Sequence, residues 1–123
     1  MATRSFIGKL NVDGSVSGVY CHWDGYPENN GKILQEHYLA SDKVDELLAL
    51  GSLSSLGPEI GEKHDFNDIN EKFCKAYHRD RGDDLESNTV YSSVNEMVKN
   101  VHHDMGAEFA YVFMNGDWKT YTI

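Results

Sequence analysis

Residues 5–23 read SFIGKLNVDGSVSGVYCHW, and this stretch decides the fold that the sequence predicts. Asp13-Gly14 is typical of a two-residue type I′ turn, because both central positions need a positive φ that this pair tolerates. Gly8 and Gly18 interrupt the two arms and predict β-bulges. Apolar side chains recur along both arms at Phe6, Leu10, Val12, Val16, Val19 and Trp23. We therefore predict an antiparallel β-hairpin here.

The C-terminal residues 108–123, EFAYVFMNGDWKTYTI, carry a second hairpin signal. Asn115-Gly116 is the strongest short-range indication of a type I′ hairpin, and both flanking runs are rich in β-branched and aromatic residues. Residues 73–78, FCKAYH, alternate in polarity and predict one further strand. Residues 53–71 hold two glycines, a proline and scattered carboxylates, which predicts a long ordered loop.

Two short helices are predicted after the first hairpin. Residues 31–40, GKILQEHYLA, place apolar side chains on one helical face. Residues 41–53, SDKVDELLALGSL, continue as a second helix. Ser41 or Asp42 is expected to be its N-cap, since both side chains accept a hydrogen bond from backbone amides of the first turn.

Residues 92–106, SSVNEMVKNVHHDMG, carry the clearest helical pattern. Ser93 and Glu96 have the spacing of a capping box, and apolar residues follow with the helical period. Two hairpins, one further strand and these helices predict a single α+β domain over residues 1–123. We expect an antiparallel sheet of about four to five strands with two to three helices packed on one face.

The composition favours a cytoplasmic protein with a basic partner. Twenty Asp and Glu residues against eleven Lys and Arg give a net charge of −9. Binding to a nucleic-acid backbone is disfavoured, because that requires cationic groups, whereas attraction to a basic protein surface is favoured. No apolar run approaches the ~20 residues of a membrane span, and the N-terminus lacks the apolar core of a signal peptide.

Two sets of residues are candidates for binding. The first is an acidic surface for a protein partner, formed by Asp65, Asp68, Asp80, Asp83, Asp84 and Glu86. The second belongs to the loop after the first hairpin and the helix that follows it, where aromatic, polar and imidazole groups suit a small ligand. Its members are His22, Trp23, Asp24, Tyr26, Asn30 and His37. Solvated loop charge and a purely structural corner are the competing interpretations.

Cysteine chemistry is the weakest of the candidate functions. Cys21 and His22 are adjacent, and neighbours on a strand point to opposite faces, so they do not form a nucleophile–base pair. Cys74 and His78 could add nitrogen and sulfur ligands for zinc, but the spacing matches no known finger pattern. No catalytic residue and no cofactor are predicted, because the common catalytic motifs are missing.

One further pattern runs through most of the chain. It consists of ATRS at 2–5, DG at 13–14, VYCHWDGY at 19–26, NG at 30–31, EHY at 36–38, LSSLG at 53–57 and NGDW at 115–118. This pattern resembles a family of small proteins encoded by tailed bacteriophages and prophages. The resemblance covers roughly residues 2–65 and the C-terminal hairpin. It implies a phage accessory protein in the host cytoplasm, and it implies no catalytic residue or cofactor.

Three functional hypotheses follow. The first is a non-enzymatic acidic inhibitor of a host nucleic-acid-handling defence complex, of the anti-CRISPR or anti-restriction type, with a protein partner and no direct contact with nucleic acid or membrane. The second is a binding protein for a nucleotide signal that uses the 20–31 loop. The third is a small zinc-binding or cysteine-dependent enzyme. The sequence leaves homo-oligomer formation open under each hypothesis.

Overall fold

A computed structural model of the chain describes residues 2–68 and 71–123. Seven strands form one sheet in this part of the chain: β1 Ser5–Leu10, β2 Val16–Cys21, β3 Leu53–Ser55, β4 Lys75–Ala76, β5 Thr89–Tyr91, β6 Phe109–Met114 and β7 Asp117–Thr122. The same residues form four α-helices, α1 Lys32–His37, α2 Ser41–Ala49, α3 Tyr77–Arg81 and α4 Val94–Met105, and a π-helical turn at Pro27–Gly31.

Both predicted hairpins are confirmed, but the type I′ turn predicted at Asp13-Gly14 is wrong. Asp13 lacks a positive φ, and the loop between Leu10 and Val16 turns through a hydrogen bond from the Gly14 amide to the Asn11 carbonyl oxygen at 3.0 Å. β1 pairs antiparallel with β2, and β6 pairs antiparallel with β7. Asn115 and Gly116 both have positive φ, as a type I′ turn requires. The predicted bulges are wrong, because Gly8 and Gly18 pair with each other in continuous register. The Phe6 ring explains these glycines, since a Cβ on Gly8 would lie 2.6 Å from it.

The sheet is mixed, so the prediction of four to five antiparallel strands is wrong. Its order is β4-β3-β2-β1-β6-β7, with β5 pairing β2 beside this path. The two hairpins meet through β1 and β6, which are parallel, and β2 pairs parallel with β3. Turn chemistry fixes the pairing inside a hairpin, whereas the direction in which two hairpins meet depends on long-range packing.

Helices cover both faces of the sheet, which corrects the prediction of helices on one face. On one side α1 and α2 bury Leu34, Tyr38, Val44 and Leu47 against Ile7, Val19 and Phe113. On the other side α4 buries Met97 and Val101 against Phe6, Val16 and Val112. β1 and β6 contain runs of adjacent buried residues. In a sheet covered on one face, apolar and polar residues would alternate along each strand, so these runs reflect burial on both faces.

The helix ends match the sequence signals only in part. The capping box of α4 is confirmed, since Ser93 Oγ accepts a hydrogen bond from the Glu96 amide at 3.1 Å. Gly106, with φ of 72°, ends this helix in the left-handed conformation. The predicted caps of α2 are wrong, because Ser41 is already helical and Ala40 precedes it without a side-chain cap.

The predicted strand over residues 73–78 is much shorter in the structure. β4 spans two residues, and α3 begins at Tyr77 because the Asp80 carboxylate accepts a hydrogen bond from the Ala76 amide at 2.8 Å. The predicted loop over residues 53–71 begins instead with β3, and residues 69–70 lie outside the described residues. Within the described part of the chain, every helix is too short or too polar to span a bilayer.

Candidate functional site

The negative charge of the protein lies on its surface. Every Asp and Glu residue is exposed except the buried Asp80 and the half-buried Asp83. Some of the cations are neutralised within the chain, as where Lys9 Nζ lies 2.8 Å from Asp45 Oδ1. The excess of twenty carboxylates over eleven Lys and Arg therefore faces solvent. An excess of this size repels other acidic molecules and attracts basic ones.

Asp80 differs from the other residues of the predicted acidic surface because its side chain is fully buried. Its carboxylate accepts hydrogen bonds from Arg79 Nε at 2.9 Å, from the Ala76 amide at 2.8 Å and from the His64 amide at 3.2 Å. Burial alone raises the pKa of Asp80, but these donors outweigh it and hold the pKa below its ordinary value. Asp80 therefore anchors the segment around His64 to α3 and lies beneath the surface.

The other predicted acidic residues gather around α3. The Phe66 ring lies 5.6 Å from the Tyr77 ring, and the Arg81 guanidinium lies 5.0 Å and 4.6 Å from these two rings. Arg81 also donates to the Asp83 carboxylate at 2.6 Å. These contacts join the turn before α3 to the segment after it. We call this surface the acidic α3 face: Phe66, Tyr77 and Arg81 at its centre, with Asp65, Asp68, Asp83, Asp84 and Glu86 around them.

The aromatic and cationic centre of this face was not predicted. Phe66 and Arg81 lie in segments that show no periodic pattern, so no signal in the sequence pairs them. A cleft of about 660 Å³ adjoins the face and is lined by Tyr20, Ser52, Tyr77, His78, Arg81 and residues 82–86. Burial raises the pKa of Tyr20, whose hydroxyl lies 2.5 Å from His22 Nδ1. The phenol therefore stays protonated at neutral pH.

The inner half of the 20–31 corner is structural. The Gly25 amide donates to the Thr3 carbonyl oxygen at 2.8 Å, and the Tyr111 hydroxyl donates to the Gly25 carbonyl oxygen at 2.6 Å. Asn30 is fully buried. Its side-chain amide donates to Ser5 Oγ at 3.2 Å and to Cys21 Sγ at 3.5 Å. The structure therefore removes Asn30 from the residues that could touch a ligand.

The outer half of the corner faces solvent. Trp23 is 44% exposed and Tyr26 is 39% exposed. Asp24 adopts a φ of 55°, which few residues other than glycine, Asn and Asp tolerate. Because β2 and β3 are parallel, their carboxyl ends meet at one edge of the sheet. There they border a cleft of about 410 Å³, the corner cleft, lined by Trp23, Asp24, Asn29, Ile33, Ser55, Leu56, Glu71, Phe73 and Lys75.

The other predicted loop residues do not line the corner cleft. His22 is half-buried and packs its ring edge-to-face on Trp23 at 4.7 Å. His37 is exposed at the end of α1. Phe73 and Glu71 were not predicted for this site, because they come from a distant segment that the fold brings to the corner. A contact between segments so far apart leaves no local pattern in the sequence.

The structure does not bring the predicted cysteine and histidine ligands together. Burial raises the pKa of the Cys21 thiol to about 12, and it also raises the pKa of Cys74. Cys74 Sγ lies 3.2 Å from the Tyr38 hydroxyl, and His78 is exposed with Nδ1 2.7 Å from a backbone oxygen. Across residues 2–68 and 71–123, no group of three His, Cys, Asp or Glu side chains is placed to hold a metal ion.

Comparisons with known proteins identify no relative of this chain. A scan against protein-family models finds no match for the chain. Searches among curated proteins and among solved structures find no significant match either. The acidic α3 face and the two clefts are therefore the features from which a function can be inferred.

Proposed function

We propose that the protein is a phage-encoded accessory protein that acts in the host cytoplasm as a non-enzymatic inhibitor. Its target is the basic, nucleic-acid-binding surface of a host defence complex, of the anti-CRISPR or anti-restriction type. The acidic α3 face makes the contact. The protein occupies the surface that would otherwise hold phosphates, and no nucleic acid takes part in the interface.

The observation that carries this proposal is the cluster in which the Arg81 guanidinium lies over both the Phe66 and Tyr77 rings, which also contact each other. Binding energy in protein interfaces concentrates in aromatic and arginine side chains surrounded by a polar rim. The acidic α3 face has this composition, and its rim is made of carboxylates. Such a rim steers the protein toward a cationic partner and raises the association rate.

The cysteine environment also supports a non-enzymatic role. A nucleophilic thiol needs a lowered pKa and solvent access, whereas Cys21 and Cys74 are buried with raised pKa values. The nucleotide hypothesis finds an aromatic wall at Trp23, but Asp24 and Glu71 line the same cleft and repel phosphates. A basic protein partner therefore agrees best with the charges of both sites.

The test compares two variants of equal net charge. The first neutralises the rim with Asp68→Asn, Asp84→Asn and Glu86→Gln, and leaves Asp83 to hold Arg81. The control neutralises Glu36→Gln, Glu108→Gln and Asp117→Asn, which are also exposed. Asp117 lies on β7, at the opposite edge of the sheet from β4.

Each protein is used to capture host proteins from lysate, and heparin is then added as a competing polyanion. We expect the wild type and the control variant to retain a protein that heparin releases. The rim variant should retain about tenfold less of it, since each lost charge contact at a protein interface weakens binding. Equal capture by both variants, or capture that heparin does not reverse, would contradict the proposal.

A further inference from the structure

The corner cleft combines an aromatic wall with two carboxylates. The exposed Trp23 ring forms the wall, Asp24 follows it at the carboxyl end of β2, and Glu71 stands on the segment before β4. The apolar part of the lining is supplied by Ile33, Leu56 and Phe73. The cleft lies beyond the carboxyl ends of β2 and β3, and in open α/β sheets ligands bind beyond the carboxyl ends of parallel strands.

The two carboxylates are available to a ligand. Asp24 and Glu71 are both exposed, and neither carboxylate forms a hydrogen bond or ion pair with any part of residues 2–68 or 71–123. Among the described residues that line the cleft, Lys75 is the one cation, and its ammonium is already engaged. It donates to the Asp68 carbonyl oxygen at 2.9 Å and lies 5.6 Å from the Phe66 ring.

This combination selects the charge and shape of a ligand. A phosphate would face two carboxylates in a protein whose net charge is −9, so anionic ligands are disfavoured. Indole is the aromatic ring that attracts cations most strongly. A guanidinium group stacks on aromatic faces through its planar surface and pairs with carboxylates through two parallel hydrogen bonds.

We propose that the corner cleft binds a guanidinium cation, with its plane on Trp23 and its N–H groups toward Asp24 and Glu71. The cleft volume of about 410 Å³ suits a ligand of this size. Two sources share this chemistry: a free metabolite such as agmatine, and an arginine side chain of a protein. The proposal does not depend on the acidic α3 face.

The test follows the indole N–H resonances of the folded protein by NMR. Trp118 is an internal control, because it is buried and its indole N–H donates to the Tyr38 carbonyl oxygen at 2.7 Å. N-acetyl-L-arginine methylamide should shift the Trp23 resonance in a saturable way, with a dissociation constant on the order of 1 mM. The neutral citrulline analogue should bind at least ~tenfold more weakly, since it lacks the cation.

Agmatine and the arginine amide distinguish the two sources. Because the second ammonium of agmatine favours it in a protein with a net charge of −9, agmatine has to bind more than ~tenfold tighter than the amide to support a free cation. Binding of the amide that matches or exceeds that of agmatine supports a side chain within a chain. Glu71→Gln and Asp24→Asn should each raise the dissociation constant of the arginine amide by ~threefold to tenfold, because each removes one charged partner. Asn at position 24 tolerates the positive φ, so the corner stays intact.

The proposal is overturned if the Trp23 resonance does not saturate at ~tenfold above the expected dissociation constant. It is also overturned if the citrulline analogue binds as well as the arginine amide, or if AMP binds more tightly than either. The rim variant Asp68→Asn, Asp84→Asn, Glu86→Gln should keep the Trp23 response. This result separates the cleft from the acidic α3 face, so either proposal can fail alone.

Discussion

Asp80 is the residue on which the candidate site is built. Its buried carboxylate joins Arg79, Ala76 and His64 and so holds the segment around His64 against α3. The three donors come from two segments of the chain, residues 76–80 and the segment around His64, which have to meet for this network to form. Without it, the segment around His64 would lose its hydrogen bond to α3 and keep the contacts of the Phe66 ring with Tyr77 and Arg81.

We predict that Asp80→Asn lowers the free energy of unfolding by about 3 kcal/mol at pH 7, because it leaves the Arg79 guanidinium without its buried counter-charge. Asp84→Asn is the matched control, since Asp84 is exposed, and should change stability by less than about 0.5 kcal/mol. Urea denaturation of both variants measures these values. Equal losses in the two variants would show that the buried pair is not stabilising.

The same pair predicts a pH dependence. Because the folded pKa of Asp80 lies below the ordinary value of 3.8, its contribution is present above that pH and is lost as the pH falls through the folded pKa. The stability difference between wild type and Asp80→Asn should therefore shrink between pH 7 and pH 3. Urea melts at several pH values test this. If the stability difference between wild type and Asp80→Asn grew as the pH fell, the pKa of Asp80 would be raised by folding and not lowered.

Residue types alone were enough to recognise an acidic protein, but they did not reveal which carboxylate is buried. Asp80 is flanked by Arg79 and Arg81, and only one of these arginines pairs with it. The burial of the Asp80 carboxylate also involves a hydrogen bond from the His64 amide, which lies sixteen positions away in the sequence. Contacts over that separation are set by the fold, so a single sequence cannot assign them.

At the scale of elements, the corner between β2 and α1 divides into two halves. Gly25 and Gly31 lie on its buried side. A Cβ on Gly25 would come within 2.7 Å of the Thr3 carbonyl oxygen, whereas one on Gly31 would lie 3.2 Å from the Tyr111 ring edge. A shift of the Thr3 oxygen would break its hydrogen bond from the Gly25 amide, whereas the Tyr111 ring edge would have to give by only a few tenths of an ångström.

We predict that Gly25→Ala lowers the free energy of unfolding by about 1–3 kcal/mol through overpacking. Gly31→Ala is the matched control and should cost less than about 1 kcal/mol, because alanine also favours the helical conformation found there. Chemical denaturation compares the two. A larger loss for Gly31→Ala would show that the backbone contact at Gly25 is not the tighter one.

The hairpins and α4 could be predicted because their signals are local. The Asn115-Gly116 turn and the Ser93 cap each act within a few residues, and Gly14 supplies a positive φ in the loop of the first hairpin. β3 and β5 have three residues each and β4 has two, which is too short for an alternating pattern. The parallel contact between β2 and β3, which builds the corner cleft, therefore had no signal in the sequence.

At the scale of the whole molecule, the charges and the fold separate two binding surfaces. The acidic α3 face follows β4 at one edge of the sheet, and the corner cleft opens at the carboxyl ends of β2 and β3. Because helices cover both faces of the sheet, the exposed candidate binding groups lie on the connections that follow its strands. Net charge could be read from the composition, whereas the meeting of Phe66, Tyr77 and Arg81 among carboxylates required the structure.

The central claim is that the acidic α3 face competes with nucleic acid for a basic surface. The most direct measurement uses the captured host protein bound to a labelled nucleic acid, and titrates it with this protein at fixed salt. We predict that the wild type and the Glu36→Gln, Glu108→Gln, Asp117→Asn control release the label with equal potency. The Asp68→Asn, Asp84→Asn, Glu86→Gln variant should need about tenfold more protein. Binding to the partner without release of the nucleic acid, or equal potency of all three proteins, would contradict the account.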